Sequence, residues 1–199
     1  MFTKSQKEFL NYVKKRCKKA GVKIYFGKGK KILCDGVKVS GYFDDVNKVL
    51  AVALGGECPF EILVHEFGHF TQWVDQCPAW VKSENFNAYN KFWDYVNGKP
   101  VKDGKRALSL VREVELDCES RAVDLILCHG LNIDVDFYIK RSNAYVFFYN
   151  WMKYTKKWCK PNNTPYNNKR LVHAMPSVFL DDYRKIPDNL LKIFKEENI

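Results

Sequence analysis

Apolar residues recur with a helical period along the first twenty positions of the chain, and lysines fill most of the positions between them. The residues of this apolar stripe are Phe9, Leu10, Val13 and Cys17. Ser5 and Glu8 match a capping box, and Gly21 is a typical residue just beyond a helix end. The pattern predicts a helix over residues 3–20.

Short apolar runs separated by turn residues come next, which is the pattern of β-strands. Four strands are predicted, at residues 22–26, 32–34, 37–43 and 48–54. Asp35-Gly36, between the second and third strands, is a hairpin signal. The fourth run is almost entirely apolar, and residues 48–55 fit two roles. They line a cleft where substrate adds to a sheet edge, or they form a buried central strand.

The rest of the chain shows mainly helical periodicity. Helices are predicted at about residues 60–75, 83–97, 105–129, 134–157 and 188–197. Aromatic residues concentrate in the last third and are expected to form core. A chain of 199 residues suffices for one domain with a sizeable core. We therefore predict an α+β fold in a single domain, residues 1–199, with a small antiparallel or mixed sheet and a helical C-terminal third.

The charge balance and the cysteines narrow the setting in which the protein acts. No run of eighteen apolar residues exists, and the lysine-rich N-terminus lacks the apolar segment of a secretory signal. Seven cysteines are scattered singly, which predicts reduced thiols in a cytoplasmic protein with no membrane partner. The formal net charge of +10 is compatible with a nucleic-acid partner. No nucleic-acid motif accompanies the charge, so a solvated lysine-rich surface is favoured.

One segment carries recognisable chemistry: it reads H-E-x-x-H, at His65, Glu66 and His69, in the predicted helix that follows Pro59. Residues four apart share a helix face, so both imidazoles can reach one metal ion. Glu66 can then take a proton from a metal-bound water without being a ligand. Apolar flanks indicate a buried helix, in which such polar groups need partners. The alternative is a pair of core histidines satisfied by backbone carbonyls.

Catalytic zinc normally has three protein ligands, so a third ligand is needed. On the predicted helix at 105–129, Glu115 falls within the apolar face and Glu119 lies at its margin. A buried carboxylate needs a partner, and a metal ion supplies one. Glu115 is therefore the predicted third ligand, with Glu119 as a supporting group or a substitute. The alternative is that Glu115 pairs with a cation such as Arg112 or Arg121.

Two other residues are candidates for roles near the motif, and a third histidine is excluded from it. Asp75 stands ten residues beyond His65, where some zincins place a third ligand, but Gln72 occupies the position at which those proteins turn through a glycine. His173 is the candidate for stabilising the developing oxyanion, in a segment that looks like a loop. The alternative for His173 is an ordinary surface or packing role. His129 is expected to cap a helix end, too far along that helix to share the metal.

The H-E-x-x-H motif, with Glu115-Leu116-Asp117 on a later helix, resembles the gluzincin arrangement of zinc metallopeptidases. It is similar to the small ImmA/IrrE-type enzymes of bacteria and their mobile elements, and small chains of this kind are also phage-encoded. The resemblance covers the two helices and the preceding strand, under half of the chain. It implies a zincin-like sheet packed against an active-site helix and a second metal-ligand helix. It also implies Zn²⁺ on the three predicted ligands and Glu66 as general base.

The sequence therefore predicts a zinc-dependent peptidase that hydrolyses an intracellular protein or peptide substrate. A second class is a catalytically silent zincin-fold protein that binds or inhibits a partner. Glu66 argues against it, because a pure scaffold has no need of that residue. A third class is a basic nucleic-acid-associated protein with a structural metal. The absence of a recognition motif argues against that class.

Overall fold

The computed structural model describes residues 2–34 and 36–199. Within these residues the chain forms eight α-helices and five β-strands, which confirms the α+β class. In chain order they are α1 Lys4–Lys19, β1 Lys23–Gly27, β2 Ile32–Cys34, β3 Val37–Val39, β4 Gly41–Asp44, β5 Val49–Ala53, α2 Pro59–Asp75, α3 Pro78–Phe86, α4 Ala88–Val96, α5 Gly104–Cys128, α6 Val135–Thr155, α7 Lys169–Ala174 and α8 Asp188–Glu196. None of these helices combines the length and the apolar character needed to cross a membrane.

These elements belong to two compact units. The first unit comprises residues 1–77 and 118–133, and the second comprises residues 78–117 and 134–199. Helix α5 contributes residues to both. The single domain expected from the sequence stays a prediction.

The first unit is built on a three-stranded mixed sheet in the order β1-β5-β4. Strand β5 runs parallel to β1 and antiparallel to β4, and its residues from Leu50 to Ala53 are buried. Both of its edges are therefore already paired, so no substrate strand can add to it. The prediction that residues 48–55 line a substrate cleft is wrong, and the alternative, a buried central strand, is confirmed.

The predicted strand at 37–43 is two strands that pair with different partners. Strand β3 pairs with β2 in a two-stranded antiparallel ribbon, whereas β4 pairs with β5 in the main sheet. The chain passes from one sheet to the other at Ser40, and an alternating apolar pattern does not reveal such a change of partner. Of the hairpin signal, Asp35 lies outside the described residues, and Gly36 has a φ of 82°, the left-handed conformation that a glycine permits.

Helix α1 buries the predicted stripe, and α1 packs against β1 and α2. Its capping box, however, uses Thr3 and Gln6. The Thr3 hydroxyl accepts from the Gln6 backbone N–H at 3.2 Å, and the Thr3 N–H donates to the Gln6 side chain at 2.9 Å. The box predicted at Ser5 and Glu8 is wrong because the helix begins at Lys4, two residues before such a box would allow.

The second unit has an aromatic core. The concentration of aromatic residues in the last third of the chain had predicted one. Large buried side chains from α4, α5, α6 and α8 contribute to it, among them Phe92, Leu108, Phe147, Phe148, Tyr149 and Phe194. The predicted helix at 83–97 is two helices, α3 and α4, separated at Asn87, whose φ of 53° breaks the helical path. The predicted loop around His173 is also wrong, because that residue lies in the last turn of α7.

Candidate metal centre

Helix α2 carries all three residues of the motif. It begins at Pro59, whose missing N–H costs nothing in the first turn of a helix. It packs against β4, β5 and α1, and its buried apolar residues include Leu63, Val64, Phe67 and Phe70. His65 and His69 lie one turn apart, with ring centroids 4.7 Å from each other and ring planes at 88°. The two imidazoles thus lie beside each other on one face of the helix, as the motif predicted.

Each histidine has an oxygen acceptor at its Nδ1 atom. Nδ1 of His65 lies 3.1 Å from Oε1 of Glu119, and Nδ1 of His69 lies 2.9 Å from Oε1 of Gln72. Such an acceptor holds the proton on Nδ1 and directs the Nε2 lone pair to a metal, as is usual for metal-binding histidines. Glu119 and Gln72 are both buried, so these contacts fix the orientation of the rings.

Cys118 of α5 also lies beside the histidines. Donor atoms of His65, His69 and Cys118 all fall within 4.8 Å of one another, so these three residues could hold a metal ion. The Cys118 thiol donates to the carbonyl oxygen of His65 at 3.1 Å, and its sulfur lies 3.9 Å from Nδ1 of the same residue. In the sequence, Cys118 is one of the seven scattered cysteines, and no metal role was predicted for it. Its place one residue before Glu119 was the signal that could have identified it.

The surroundings of His65 favour its charged form. Burial, the largest influence, lowers the pKa of His65, but the charges of Cys118 and Glu119 and their hydrogen bonds outweigh it. The pKa of His65 therefore stands well above its ordinary value of 6.5. A metal ion binds a neutral imidazole, so the raised pKa means that protons and a metal ion compete for His65.

Glu66 lies next to strand β4. A Cβ atom added to Gly41 would stand 2.9 Å from Cγ of Glu66 and 2.6 Å from Cγ2 of Ile62. Glycine at this position therefore allows β4 to approach the part of α2 that carries Glu66. Because β4 is at the end of the sheet order, the edge strand beside Glu66 is β4. The sequence had assigned that place to the residues of β5.

Glu115 is 4 % exposed, in the apolar face where the sequence placed it. In the second unit its Oε1 atom accepts hydrogen bonds from the hydroxyls of Tyr89 and Tyr149, each at 3.3 Å. The alternative prediction for Glu115 was an ion pair with Arg112 or Arg121. Arg112 donates to the side chain of Asn150 and to a backbone carbonyl. The role of Glu115 as a metal ligand stays a prediction.

Asp75 and Arg121 form an ion pair within the first unit. Nη1 of Arg121 lies 2.7 Å from Oδ2 of Asp75, at the end of α2. A carboxylate that faces a guanidinium at this distance already has a strong partner. This contact gives Asp75 a structural role at the helix end.

His129 follows the last residue of α5, as predicted, and its ring contacts those of Phe9 and Tyr12 at centroid distances of 4.9 and 4.6 Å. Burial lowers the pKa of His129. His173 is exposed on α7, where it lines a shallow surface pocket with Asp134, Phe137 and Lys140. Its role in stabilising an oxyanion stays a prediction.

Comparison with models of known protein families, with curated proteins and with solved structures finds no match to this chain.

Proposed function

We propose that this protein is a zinc-dependent peptidase with a zincin-like fold. The observation that carries the proposal is the pair of histidines one turn apart, each with Nδ1 held by a buried side-chain oxygen. Two core histidines need no such arrangement, whereas a metal site needs both Nε2 atoms directed to one point. Imidazole nitrogens suit zinc, and the intact Glu66 between them suits hydrolysis.

Two residues are candidates for the third protein ligand of the proposed zinc ion, Cys118 and Glu115. The Cys118 thiol is engaged with the backbone of His65 and lies near Nδ1, the nitrogen that does not bind the metal in this arrangement. Glu115 precedes Glu119 by one turn on the continuous helix α5, so the two carboxylates share a helix face. Since Glu119 supports His65, helical spacing favours Glu115 as the ligand. We place Cys118 second.

In the proposed hydrolysis, individual residues of the chain have separate roles. Bound zinc would supply a Lewis acid that polarises the substrate carbonyl and makes water more acidic. Glu66 is the proposed general base, which takes a proton from the attacking water and passes it to the leaving amine. Glu119 and Gln72 keep the imidazoles in the tautomer that leaves Nε2 free of its proton. The substrate is proposed to be an intracellular protein or peptide.

The zinc content of purified protein tests the site. We expect one zinc per chain in the wild type, its loss in Glu115→Ala, and its retention in Cys118→Ala. Glu113→Ala is the matched control, because Glu113 lies on the same helix with its side chain 46 % exposed and an arginine 3.9 Å away. Zinc lost from Cys118→Ala and kept in Glu115→Ala would assign the third ligand to the cysteine.

The Glu66→Gln variant tests the reaction separately from the site. The amide cannot accept the proton, so this variant is expected to keep its zinc and to lose hydrolysis of labelled casein and of a mixed peptide library. A loss of about 100-fold or more is expected for a general base. Full hydrolysis in zinc-loaded Glu66→Gln would contradict the mechanism. A zinc-loaded wild type that cleaves no peptide would favour the silent binding protein.

A further inference from the structure

Two exposed tryptophans lie beside each other on the surface of the second unit. Trp93 of α4 is 46 % exposed, and Trp158, which follows α6, is 40 % exposed. Their ring centroids are 5.5 Å apart, with the ring planes at 39°. Trp158 also contacts the buried rings of Phe92 and Phe148, at centroid distances of 6.1 and 5.5 Å. The core therefore holds the tryptophan pair in place, and the pair remains open to solvent.

Lysines line an open surface pocket close to this pair. Lys99, Lys102 and Lys156 lie around the pocket together with Tyr95, and its volume is about 560 Å³. Nζ of Lys156 lies 5.4 Å from the centre of the Tyr95 ring. Lys156 precedes Trp158 by two residues, a length of chain that spans at most about 7 Å. The three lysines and the two tryptophans thus form one surface, the lysine–tryptophan surface.

Carboxylates offset little of the positive charge on this surface. Asp94 pairs with Lys99, with Oδ1 lying 2.8 Å from Nζ. Between residues 137 and 180, however, the sequence contains lysines and arginines but no aspartate or glutamate. Helix α5 begins two residues after Lys102 and has no acidic residue in its first turn, although the N-terminus of a helix favours negative charge. The surface therefore has the charge that complements a polyanion.

We propose that the lysine–tryptophan surface binds single-stranded nucleic acid. Lysines attract the phosphates of the backbone, and exposed aromatic rings stack on unpaired bases. The bases of a duplex are stacked on one another, so a duplex offers no base faces to Trp93 and Trp158. This interaction goes beyond the proposed peptidase activity and does not rest on it.

Helix α1 is also rich in lysine, but it lacks the second part of this arrangement. Its aromatic residues are Phe9, which is buried, and Tyr12, which is half-buried. Lysines alone attract any polyanion, whereas open rings beside lysines add contacts that only unpaired bases can make. The second unit is therefore the part of the chain to which we assign the nucleic acid.

An anionic membrane is the competing partner, because lysines and tryptophans also occur together at membrane interfaces. A helix that lies on a membrane inserts an apolar face into the lipid. In α4 the apolar residues Phe92 and Val96 are buried in the core of the second unit, so they are not available to lipid. Trp158 rests on core rings in the same way. Charge and stacking therefore favour nucleic acid.

Fluorescence anisotropy of a labelled oligothymidylate, titrated with the full chain at several salt concentrations, tests the proposal. Lys102→Gln combined with Lys156→Gln removes two charges from exposed positions. This double variant is expected to weaken binding about tenfold and to reduce the slope of log affinity against log salt by about 0.7 for each lysine. Trp93→Leu and Trp158→Leu are each expected to weaken binding about fivefold or more and to leave the salt slope unchanged.

Matched controls separate this surface from net charge and from exposed rings in general. Lys15→Gln combined with Lys19→Gln removes the same charge from exposed positions of α1. Phe137→Leu removes a ring that is 46 % exposed, as Trp93 is. Both controls are expected to bind the oligonucleotide as the wild type does. Equal weakening by the α1 variant and by the variant of Lys102 and Lys156 would show that net charge alone drives binding, and would overturn the proposal.

Other results would also overturn it. These are no binding of oligothymidylate by the wild type, equal affinity for a duplex of the same length, and binding to phosphatidylserine vesicles in place of the oligonucleotide. Trp158 contacts core rings, so Trp158→Leu can fail to fold. The variant of Lys102 and Lys156, at exposed positions, then decides alone, and an unchanged affinity and salt slope in that variant would refute the assignment.

Discussion

At the scale of single residues, the orientation of two imidazole rings depends on Glu119 and Gln72. The sequence identified Glu119 as a supporting group from its place on a helix margin, and the structure puts its carboxylate on Nδ1 of His65. Gln72 entered the sequence analysis only as a mismatch to a glycine pattern. In the structure it is fully buried and accepts from His69, three residues before it on the same helix face. The residue that fails to match the glycine pattern is thus the hydrogen-bond partner of a motif histidine.

The first residue-scale prediction concerns Glu119→Gln. The amide keeps the shape of the side chain but removes the charge that supports His65, so zinc affinity is expected to fall about 10- to 100-fold. Glu113→Gln, on the exposed side of the same helix, is the control and should match the wild type. Competition with a chromophoric chelator at constant pH measures the difference. Equal affinities for Glu119→Gln and the wild type would remove Glu119 from the site.

The same variant has a pH signature with a defined sign. The pKa of His65 is raised in the native metal-free protein, so its charge adds stability that is fully present below pH 6.5 and is lost as pH rises through the raised pKa. The proton also competes with zinc throughout that window. In Glu119→Gln the pKa of His65 is expected to fall. Protons should then displace zinc from His65 only at a lower pH than in the wild type. Titration of the imidazole by NMR in the metal-free protein checks the shift.

At the scale of elements, α2 approaches α5 closely because of one glycine. A Cβ atom added to Gly68 would stand 2.8 Å from Sγ of Cys118 and 3.1 Å from the backbone oxygen of the same residue. The sulfur can move, but the backbone oxygen of a helix cannot easily do so. Glycine inside a helix normally costs about 1 kcal/mol relative to alanine, and here it allows α2, which carries His65 and His69, to approach Cys118 of α5.

Gly68→Ala is therefore expected to destabilise the protein despite its better helix propensity. Overpacking costs about 1–3 kcal/mol, which exceeds the propensity gain of about 1 kcal/mol over most of that range. Urea unfolding of the metal-free protein measures the difference. Adding Cys118→Ala should recover part of the loss, since the sulfur contact is removed and the backbone contact remains. An increase in stability for Gly68→Ala would show that the helices do not meet at this residue.

The elements also show which parts of the fold were open to prediction. Helix α2 is marked in the sequence by Pro59 and an apolar stripe, and α6 begins after the N-cap residue Asp134. Both were predicted within a few residues of their observed ends. The strands depend on distant partners. Nothing in residues 37–43 marks the exchange between sheets at Ser40, and nothing in β5 marks it as central rather than edge. Long-range pairing decides both, and one sequence read by periodicity does not contain it.

At the scale of the whole molecule, the motif histidines could be found because their spacing is local to one helix. Cys118 lies 53 residues from His65, and only the packing of α5 beside α2 reveals it. The same holds for the tyrosines on Glu115, which come from two other helices and look like core in the sequence. The lysines and arginines behind the net charge of +10 are not the hydrogen-bond partners of the two imidazoles of the candidate site. Those partners are Glu119, Gln72 and Cys118. That separation fits a basic surface with a role of its own.

Zinc binding should stabilise the folded protein as a whole, because the donor set exists only in the native state. At free zinc about 1,000 times the dissociation constant, the free energy of unfolding rises by about 4 kcal/mol. For a chain of this size each kcal/mol moves the thermal midpoint by about 2–4 °C, so a chelator should lower it by about 10 °C. Thermal unfolding in buffered zinc and in chelator measures the change. Glu66→Gln should retain the full shift and His69→Ala should lose it, since only the latter removes a donor. A wild type that melts at the same temperature in both buffers would mean that His65 and His69 hold no metal under these conditions.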